Sequence, residues 1–156
     1  MPVDVYLTRL AEKQVTCLQR HDRRSYDEFL RQLRAQGCKA LGYRLTGEGL
    51  TERLCAAHLA GPLRLVVAFE AATTATILLV APHHSSDPHL DVYHQLYQLA
   101  GLEHPPAGRR AKPLCCGDDG IPPAVDHGVL DELERRARAL ARGSEKAVQP
   151  AGRRGR

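Results

Sequence analysis

The sequence predicts an α/β domain of the α+β type, built on a small and mainly antiparallel sheet, in the element order β-α-α-β-β-β-α. Two apolar runs of strand character, Leu63–Phe69 and Thr76–Ala81, are joined by a short Ala/Thr turn. The segments on either side repeat apolar residues every three or four positions, which is typical of amphipathic helices. Because the connections between the last three strands are short, a meander is the simplest pairing.

The first elements follow from local patterning. Val3–Leu7 alternates well enough for a first strand. Apolar residues then recur at helical spacing at Leu7, Ala11, Val15 and Leu18. A second helix is predicted from Ser25 as its N-cap, with Glu28 as the capping-box partner and Gly37 as the C-terminal stop.

The remaining strands follow a Gly-rich connection at 42–50. Arg53–Leu59 is a weaker strand, and Leu63–Val67 is apolar except for Arg64, which suits a strand covered on both faces. Asp91–Leu99 is predicted to be a helix that ends at Gly101. These elements place the domain at residues 1–101.

An extension follows from residue 102. A Pro-rich loop leads to a helix over 127–142, which would pack on its own sheet or form a homodimer with a second copy. Residues 143–156 are expected to be a disordered basic tail. Because this tail holds four basic residues and one acidic residue of a chain with net charge +4, the folded part is nearly neutral. That balance weighs against tight nucleic-acid binding by general electrostatics.

Several classes of protein are excluded by the same sequence. The five scattered cysteines form an odd set, which favours reduced thiols and a cytoplasmic location over a disulfide framework. Adjacent Cys115 and Cys116 without a second pair are weak evidence for zinc, so no metal or cofactor is expected. We expect no membrane span and no secretory signal. Walker, dinucleotide and nucleophile-elbow motifs are missing from the sequence.

Residues suited to proton transfer and phosphate binding gather around the strand ends. The candidates are Arg64, His83, His84, Asp91, Tyr93 and His94. Cleavage of RNA by its own 2′-hydroxyl needs a base, an acid and a cation on the phosphate. Histidine suits the first two roles, and arginine suits the third because its planar fork binds phosphate with two hydrogen bonds.

Structural roles remain open for the same side chains. Arg64 could instead form an ion pair with Asp91 or Glu52, and Tyr93 could pack in the core. The two adjacent histidines after the last strand could be no more than a polar loop.

The chain resembles the RelE/ParE/HigB superfamily of bacterial toxins over residues 3–100. The resemblance is carried by Arg44–Gly47, Arg53–Leu59, Gly61–Val67, Ile77–Pro82 leading into His83 and His84, and Asp91–Tyr93. The RelE-like and HigB-like branches are ribosome-dependent mRNA endonucleases that need no metal and leave a cyclic phosphate. The ParE-like branch targets DNA gyrase.

The resemblance implies roles for particular positions. Arg64 falls at the strand arginine that contacts the scissile phosphate, and His83 or His84 falls where a basic residue follows the last strand. The other positions that it implies are His58, Asp91, Tyr93 and His94. The chain departs from the pattern in its second strand, where the lysines of the RelE-like nucleases are missing.

Two functions follow as expectations. One is a RelE-like toxin: a metal-independent endonuclease of mRNA on the ribosome, covered by a cognate antitoxin protein. The other is a non-catalytic binding module on the same fold, either directed at gyrase or engaged in protein interaction.

Overall fold

The structure is a computed structural model that describes residues 2–47, 49–83, 86–103 and 112–153, with side chains up to residue 143. The elements are β1 (Asp4–Leu7), α1 (Arg9–Thr16), α2 (Arg20–Gln36), β2 (Tyr43–Arg44), β3 (Leu54–His58), β4 (Leu63–Ala71), β5 (Thr74–Pro82), α3 (Val92–Ala100) and α4 (His127–Arg153). Short 3-10 turns lie at Gly37–Ala40, Gly49–Arg53 and Pro88–Leu90.

The described strands form one five-stranded sheet in the order β1-β5-β4-β3-β2. Strands β3, β4 and β5 make the antiparallel meander that the sequence predicts, and β1 joins the far edge parallel to β5. The mixed, mainly antiparallel fold class is therefore confirmed. Within the residues described, none of the helices combines the length and apolar character needed to cross a membrane.

The sheet is covered on both faces, as the continuous apolar run of β4 predicts. Leu65 and Val67 belong to the core beneath α2, whereas Val66 and Ala68 belong to the core beneath α3 and α4. Successive side chains of a strand alternate between faces. Arg64 therefore lies on the same face as Val66, the face that α3 covers.

The start of the second helix differs from the prediction. Helix α2 begins at Arg20 with Gln19 as its N-cap, so Ser25 is an interior residue and not the cap. Its hydroxyl instead accepts a hydrogen bond from the Ala60 amide at 3.0 Å. The basic and acidic residues before Ser25 carry no helix breaker, so the helix extends one turn and more toward the N-terminus. Gly37 ends it, as predicted, with φ of 64°.

Helix α4 packs on its own sheet and on α1, the first of the two alternatives that the sequence left open. Leu133 and Ala137 are buried in the core shared with α3, and Ala141 is also buried. The helix also continues to Arg153, although the sequence predicted that it would end at residue 142 before a disordered tail. Residues 145–149 are mostly good helix formers, whereas Pro150 and Gly152 are not, so helix propensity accounts for only the first part of the continuation.

The prediction of reduced thiols is wrong for four of the five cysteines. Cys38 is bonded to Cys116 and Cys55 to Cys115, with Cα–Cα distances of 5.5 and 5.6 Å. Cys17 is the free cysteine. Sequence separations of 78 and 60 residues concealed these pairings. They form because the chain from residue 112 onward returns past β2 and β3.

We call residues 112–126 the strap. The Arg44 amide donates to the Pro113 carbonyl at 2.7 Å, which sets the strap beside β2. Farther along, the Val125 amide donates to the Phe69 carbonyl at 2.7 Å. The two disulfides lie between these anchors, so the strap is fastened to the sheet before α4 begins.

Candidate functional site

The candidate site lies at the end of the sheet where β3 turns into β4. The register pairs His58 with Arg64 and Arg64 with Ala81, and His83 follows directly after β5. Directly opposed residues of neighbouring strands point to the same face. The β3–β4 hairpin therefore presents His58 and Arg64 side by side beneath α3.

Arg64 is anchored by main-chain groups. Its Nη1 donates to the carbonyl oxygens of Gly61 at 2.8 Å and Leu63 at 3.0 Å. Its Nε is buried, and among the described residues no hydrogen-bond acceptor reaches it. A buried donor without a partner is costly, and an anionic oxygen that enters the site would relieve that cost.

His83 is oriented by Asp91. Its Nδ1 lies 2.9 Å from Asp91 Oδ1, and both side chains are largely buried. The other oxygen of Asp91 accepts hydrogen bonds from the amides of Tyr93 and His94 and so caps α3. When the imidazole donates from Nδ1 to the carboxylate, its Nε2 is the nitrogen with the lone pair. This arrangement suits His83 to accept a proton at Nε2.

Tyr93 and Tyr43 form a hydroxyl pair, which we call the tyrosine pair. The two oxygens are 2.5 Å apart. Burial, and then the hydrogen bond with Tyr43, raise the pKa of Tyr93 far above its ordinary value. The Tyr93 phenol therefore keeps its proton at neutral pH, and its hydroxyl can both donate and accept a hydrogen bond.

Rings connect the two sides of the site. The His83 ring packs edge-on against Tyr93 with centroids 4.7 Å apart, and the Tyr43 ring packs edge-on against His58 at 5.4 Å. Together with the tyrosine pair, these contacts make a continuous row from His58 to His83. The structure thus brings together most of the residues that the sequence singled out.

Burial, and then the positive charges of Arg64 and Lys112, lower the pKa of His58. Its imidazole is therefore neutral at neutral pH. Lys112 comes from the strap, and its Nζ lies 5.0 Å from the centroid of the Tyr43 ring. Neither Tyr43 nor Lys112 was among the sequence candidates. Tyr43 lies in the Gly-rich connection and Lys112 in the Pro-rich loop that the sequence predicts, and no local pattern marks either residue as functional.

Two of the histidine candidates, His84 and His94, are not among the residues that make up the row from His58 to His83. His84 lies outside the described residues. The His94 ring packs edge-on against His89, with centroids 5.1 Å apart, near the Pro88–Leu90 turn. His94 is thereby joined to Asp91 through its backbone amide and to His89 through its ring.

A cleft of about 520 Å³ adjoins the row of rings, between α2 and the β2–β3 edge. Its lining includes Tyr43, His58 and Lys112, together with the polar side chains of Glu28 and Gln32. The cleft therefore offers a cation, an imidazole and a phenol in one concave surface, and it adjoins the row of rings through Tyr43 and His58. In the part of the chain that the structure describes, no three His, Cys, Asp or Glu side chains are grouped to hold a metal ion.

No protein-family model matches the chain, and no curated protein matches its sequence. Among solved structures, the chain is similar to a chain in the crystal structure of the toxin–antitoxin complex RelBE2 from Mycobacterium tuberculosis. The two are 20% identical with a TM-score of 0.44, and the match covers 53% of this chain and 100% of that chain.

Proposed function

We propose that this chain is a RelE-like toxin that cleaves RNA without a metal, through attack of a 2′-hydroxyl on the adjacent phosphate. The observation that supports this most is the grouping of Arg64, the His83–Asp91 pair and the tyrosine pair at one end of the sheet. These groups supply a cation, a base and proton donors, which are the elements that the reaction needs.

Arg64 binds the scissile phosphate in this proposal. A phosphate oxygen accepts a hydrogen bond from the buried Nε, and Nη2, which lies beside Nε in the planar guanidinium group, completes a forked contact. The positive charge stabilises the extra negative charge of the transition state. Removal of such a group typically costs about 10²–10³-fold in rate.

His83 acts as the general base. Its Nε2 takes the proton of the 2′-hydroxyl, the O2′–P bond forms and the P–O5′ bond breaks. The departing O5′ takes up a proton from water, and His83 later releases its own proton to solvent, so the products are a 2′,3′-cyclic phosphate and a 5′-hydroxyl. Tyr93 keeps its proton because its pKa is raised, so it serves as a hydrogen-bond donor toward the departing oxygen. Asp91 holds the His83 ring in place, and His58 lines the phosphate side of the site.

The test is cleavage of end-labelled RNA, with and without ribosomes, in buffer that contains a chelator. We expect cyclic-phosphate ends, and we expect Arg64→Gln to lower the rate about 10²–10³-fold. Arg135→Gln is the matched control, because Arg135 is an exposed arginine on α4 that pairs with Glu132. Growth arrest on expression with intact mRNA would reject the proposal.

The proposal includes a cognate antitoxin as partner and the cytoplasm as the place of action. In the cytoplasm the thiol pool would determine whether the two disulfides are closed. An antitoxin would cover the cleft and the row of rings. A homodimer through the apolar side of α4 is not part of the proposal, because that side is buried within the chain. Co-purification with the product of the adjacent gene tests the antitoxin, and loss of cleavage in the complex tests what it covers.

The near-neutral charge of the folded part favours a second candidate, a binding module without nuclease activity. The tyrosine pair would then be a packing contact, and Arg64 would serve only the β3–β4 turn. A gyrase-directed member would inhibit DNA supercoiling by gyrase while it leaves RNA intact. Supercoiling and RNA-cleavage assays on the same preparation therefore separate the two candidates.

A further inference from the structure

The strap brings a cation to a site that is otherwise built by the sheet and α3. Lys112 lies over the Tyr43 ring and lines the cleft beside His58. Contact of an ammonium group with the face of an aromatic ring is attractive and leaves the remaining N–H groups available to an anion. Its position places a second positive charge on the same side as Arg64.

Disulfides fasten the strap close to this lysine. Cys115 and Cys116 are adjacent in sequence, yet they reach different elements: Cys55 on β3 and Cys38 in the turn after α2. Cys115 is buried, whereas Cys116 is half-buried. The bond between Cys38 and Cys116 is therefore the one more open to attack by a thiolate.

The backbone anchors of the strap are few by comparison. One is the hydrogen bond of Arg44 with Pro113, next to Lys112. The other is the pairing of Phe69 with Ala124 and Val125, at the opposite end of the strap. The hydrogen bond that Arg53 Nη1 donates to the Ala124 carbonyl at 3.0 Å also lies at that far end. The two disulfides are the covalent constraints on the strap, and they follow Lys112 by three and four residues.

We propose that the two disulfides hold Lys112 in the site as a second phosphate-binding residue, and that their reduction withdraws it and weakens RNA binding. The RNA part of this inference rests on the proposed function. The placement of Lys112 by the disulfides does not.

The chemistry needs two equivalents of a dithiol reductant. In each step a thiolate of the reductant attacks one sulfur of the bond and forms a mixed disulfide. The second thiol of the reductant then displaces the protein sulfur. Each bond takes up two electrons and two protons to become two thiols, while the reductant becomes a cyclic disulfide.

The first experiment measures the pKa of His58 by NMR titration of the full chain in the oxidised and reduced states. The charged and titratable groups that face His58 are Arg64 on β4, His83 after β5, Lys112 on the strap and Tyr43 on β2, and Glu28 on α2 lines the same cleft. Because Lys112 holds the pKa of His58 down, we expect reduction to raise that pKa to the value found in Lys112→Ala.

Controls separate the strap from other effects of reduction. Reduction of Lys112→Ala should cause no further rise in the pKa of His58. Cys17→Ser should titrate like the unmodified chain, because Cys17 lies in neither disulfide. A pKa of His58 that rises in Lys112→Ala yet stays constant on reduction would overturn the role of the disulfides.

The second experiment measures binding of an RNA oligonucleotide with a 2′-deoxy residue at the cut, over a range of salt concentrations. Loss of one phosphate contact should reduce the slope of log K against log salt by about 0.7 and weaken binding roughly 3- to 10-fold. We expect this for Lys112→Ala and for the reduced chain, with rescue by Lys112→Arg. Arg135→Ala, which removes an exposed charge on α4, should keep the slope.

The two experiments fail in distinguishable ways. If neither redox state binds or cuts RNA, the proposed function fails, and the titration of His58 still decides whether the disulfides place Lys112. If the chain cuts RNA and Lys112→Ala binds it with an unchanged slope, the nuclease proposal stands and the phosphate role of Lys112 is wrong.

Discussion

At the scale of single residues, Asp91 has two structural tasks. One carboxylate oxygen caps α3 through the amides of Tyr93 and His94, and the other pairs with His83. An N-cap contributes about 1 kcal/mol to stability. The same side chain thus fixes the start of the helix and the ring of the proposed base, so any shift of α3 also moves His83.

Substitution of Asp91 by asparagine separates these tasks. The amide oxygen of Asp91→Asn can still cap α3, so we expect the free energy of unfolding to stay within about 1 kcal/mol. The amide nitrogen would face His83 Nδ1 and favour the opposite tautomer. RNA cleavage should fall about 10²–10⁴-fold. The measurements are the cleavage rate, a denaturation curve and the ¹⁵N shifts of the His83 ring.

Asp87→Asn is the control for this prediction. Asp87 caps the short Pro88–Leu90 turn through the His89 amide. We expect the Asp87→Asn variant to cleave RNA at the rate of the unmodified chain. Full activity in Asp91→Asn, with Asp87→Asn also active, would remove the carboxylate from the mechanism.

The tyrosine pair has a signature at high pH. Burial and the Tyr43 hydroxyl raise the pKa of Tyr93, and burial raises the pKa of Tyr26. A raised folded-state pKa means that this contribution to stability is complete below pH 10 and is lost as the pH rises above it. Ultraviolet titration should show a late-ionising tyrosine that disappears in Tyr93→Phe.

Tyr26→Phe gives the comparison, because Tyr26 is also buried and has no part in the site. It should leave the ionisation of Tyr93 in place. A titration of Tyr93→Phe that still contains every late component would show that the Tyr93 phenol ionises normally.

At the scale of elements, α3 and α4 meet at a glycine. Gly101 ends α3 in the left-handed region with φ of 71°, and a Cβ there would collide with the Arg136 guanidinium. Arg136 Nη1 donates to the Leu99 carbonyl at 3.3 Å. The last turn of α3 is therefore joined to α4 through one arginine, and the guanidinium could keep its present position only with a glycine at 101.

Gly101→Ala should lower the free energy of unfolding more than the same substitution at a glycine with open space around it. Backbone strain at a positive φ costs about 1 kcal/mol, and displacement of Arg136 removes a charge-assisted hydrogen bond that contributes about 1 kcal/mol or more. Gly120→Ala is the matched control, with φ of 77° and open space around its Cβ. Chemical denaturation of both variants measures the difference, and equal losses would contradict the clash.

What the sequence could predict depends on how far apart two contacting residues lie along the chain. The alternation in β4 and the glycines after α2 and α3 are local signals, so the meander and both helix ends could be read from the sequence. The grouping of Arg64 with His83 followed from the strand order. The partners of Tyr43 and Lys112, and both disulfides, depend on where the chain returns after residue 112. That return has no local pattern, because proline and glycine mark only a loop.

Ser25 shows a different limit. Its spacing to Glu28 fits a capping box, but the residues before it are also compatible with a helix. A capping motif gives a preference of about 1 kcal/mol, which the additional helical turn from Arg20 outweighs. The capping-box spacing is present at Ser25, but the helix begins at Arg20.

At the scale of the whole molecule, the extension after residue 101 packs on both faces of the sheet. Cys38, Cys55 and Cys115 lie in the core beneath α2, whereas Leu133 and Ala137 of α4 lie in the core on the opposite face. The extension therefore passes from one face to the other. Cys115, Val125, Leu133 and Ala137 of the extension therefore belong to the two cores of the sheet.

Reduction of the disulfides should therefore lower stability measurably. Removal of a native disulfide typically costs about 2–5 kcal/mol, and long closed loops are at the upper end of the chain-entropy account. We expect a lower urea midpoint in a reductant than without one. Cys17→Ser should keep the midpoint of the unmodified chain under oxidising conditions. Identical midpoints in the two redox states would show that packing alone holds the extension.

The pairing of the cysteines also settles how the chain responds to a protease. The ring closed by Cys55 and Cys115 lies inside the larger ring closed by Cys38 and Cys116. A single backbone cut anywhere inside the smaller ring leaves two polypeptides that remain covalently linked. Such a nicked molecule migrates as one band on a non-reducing gel and as two bands after reduction.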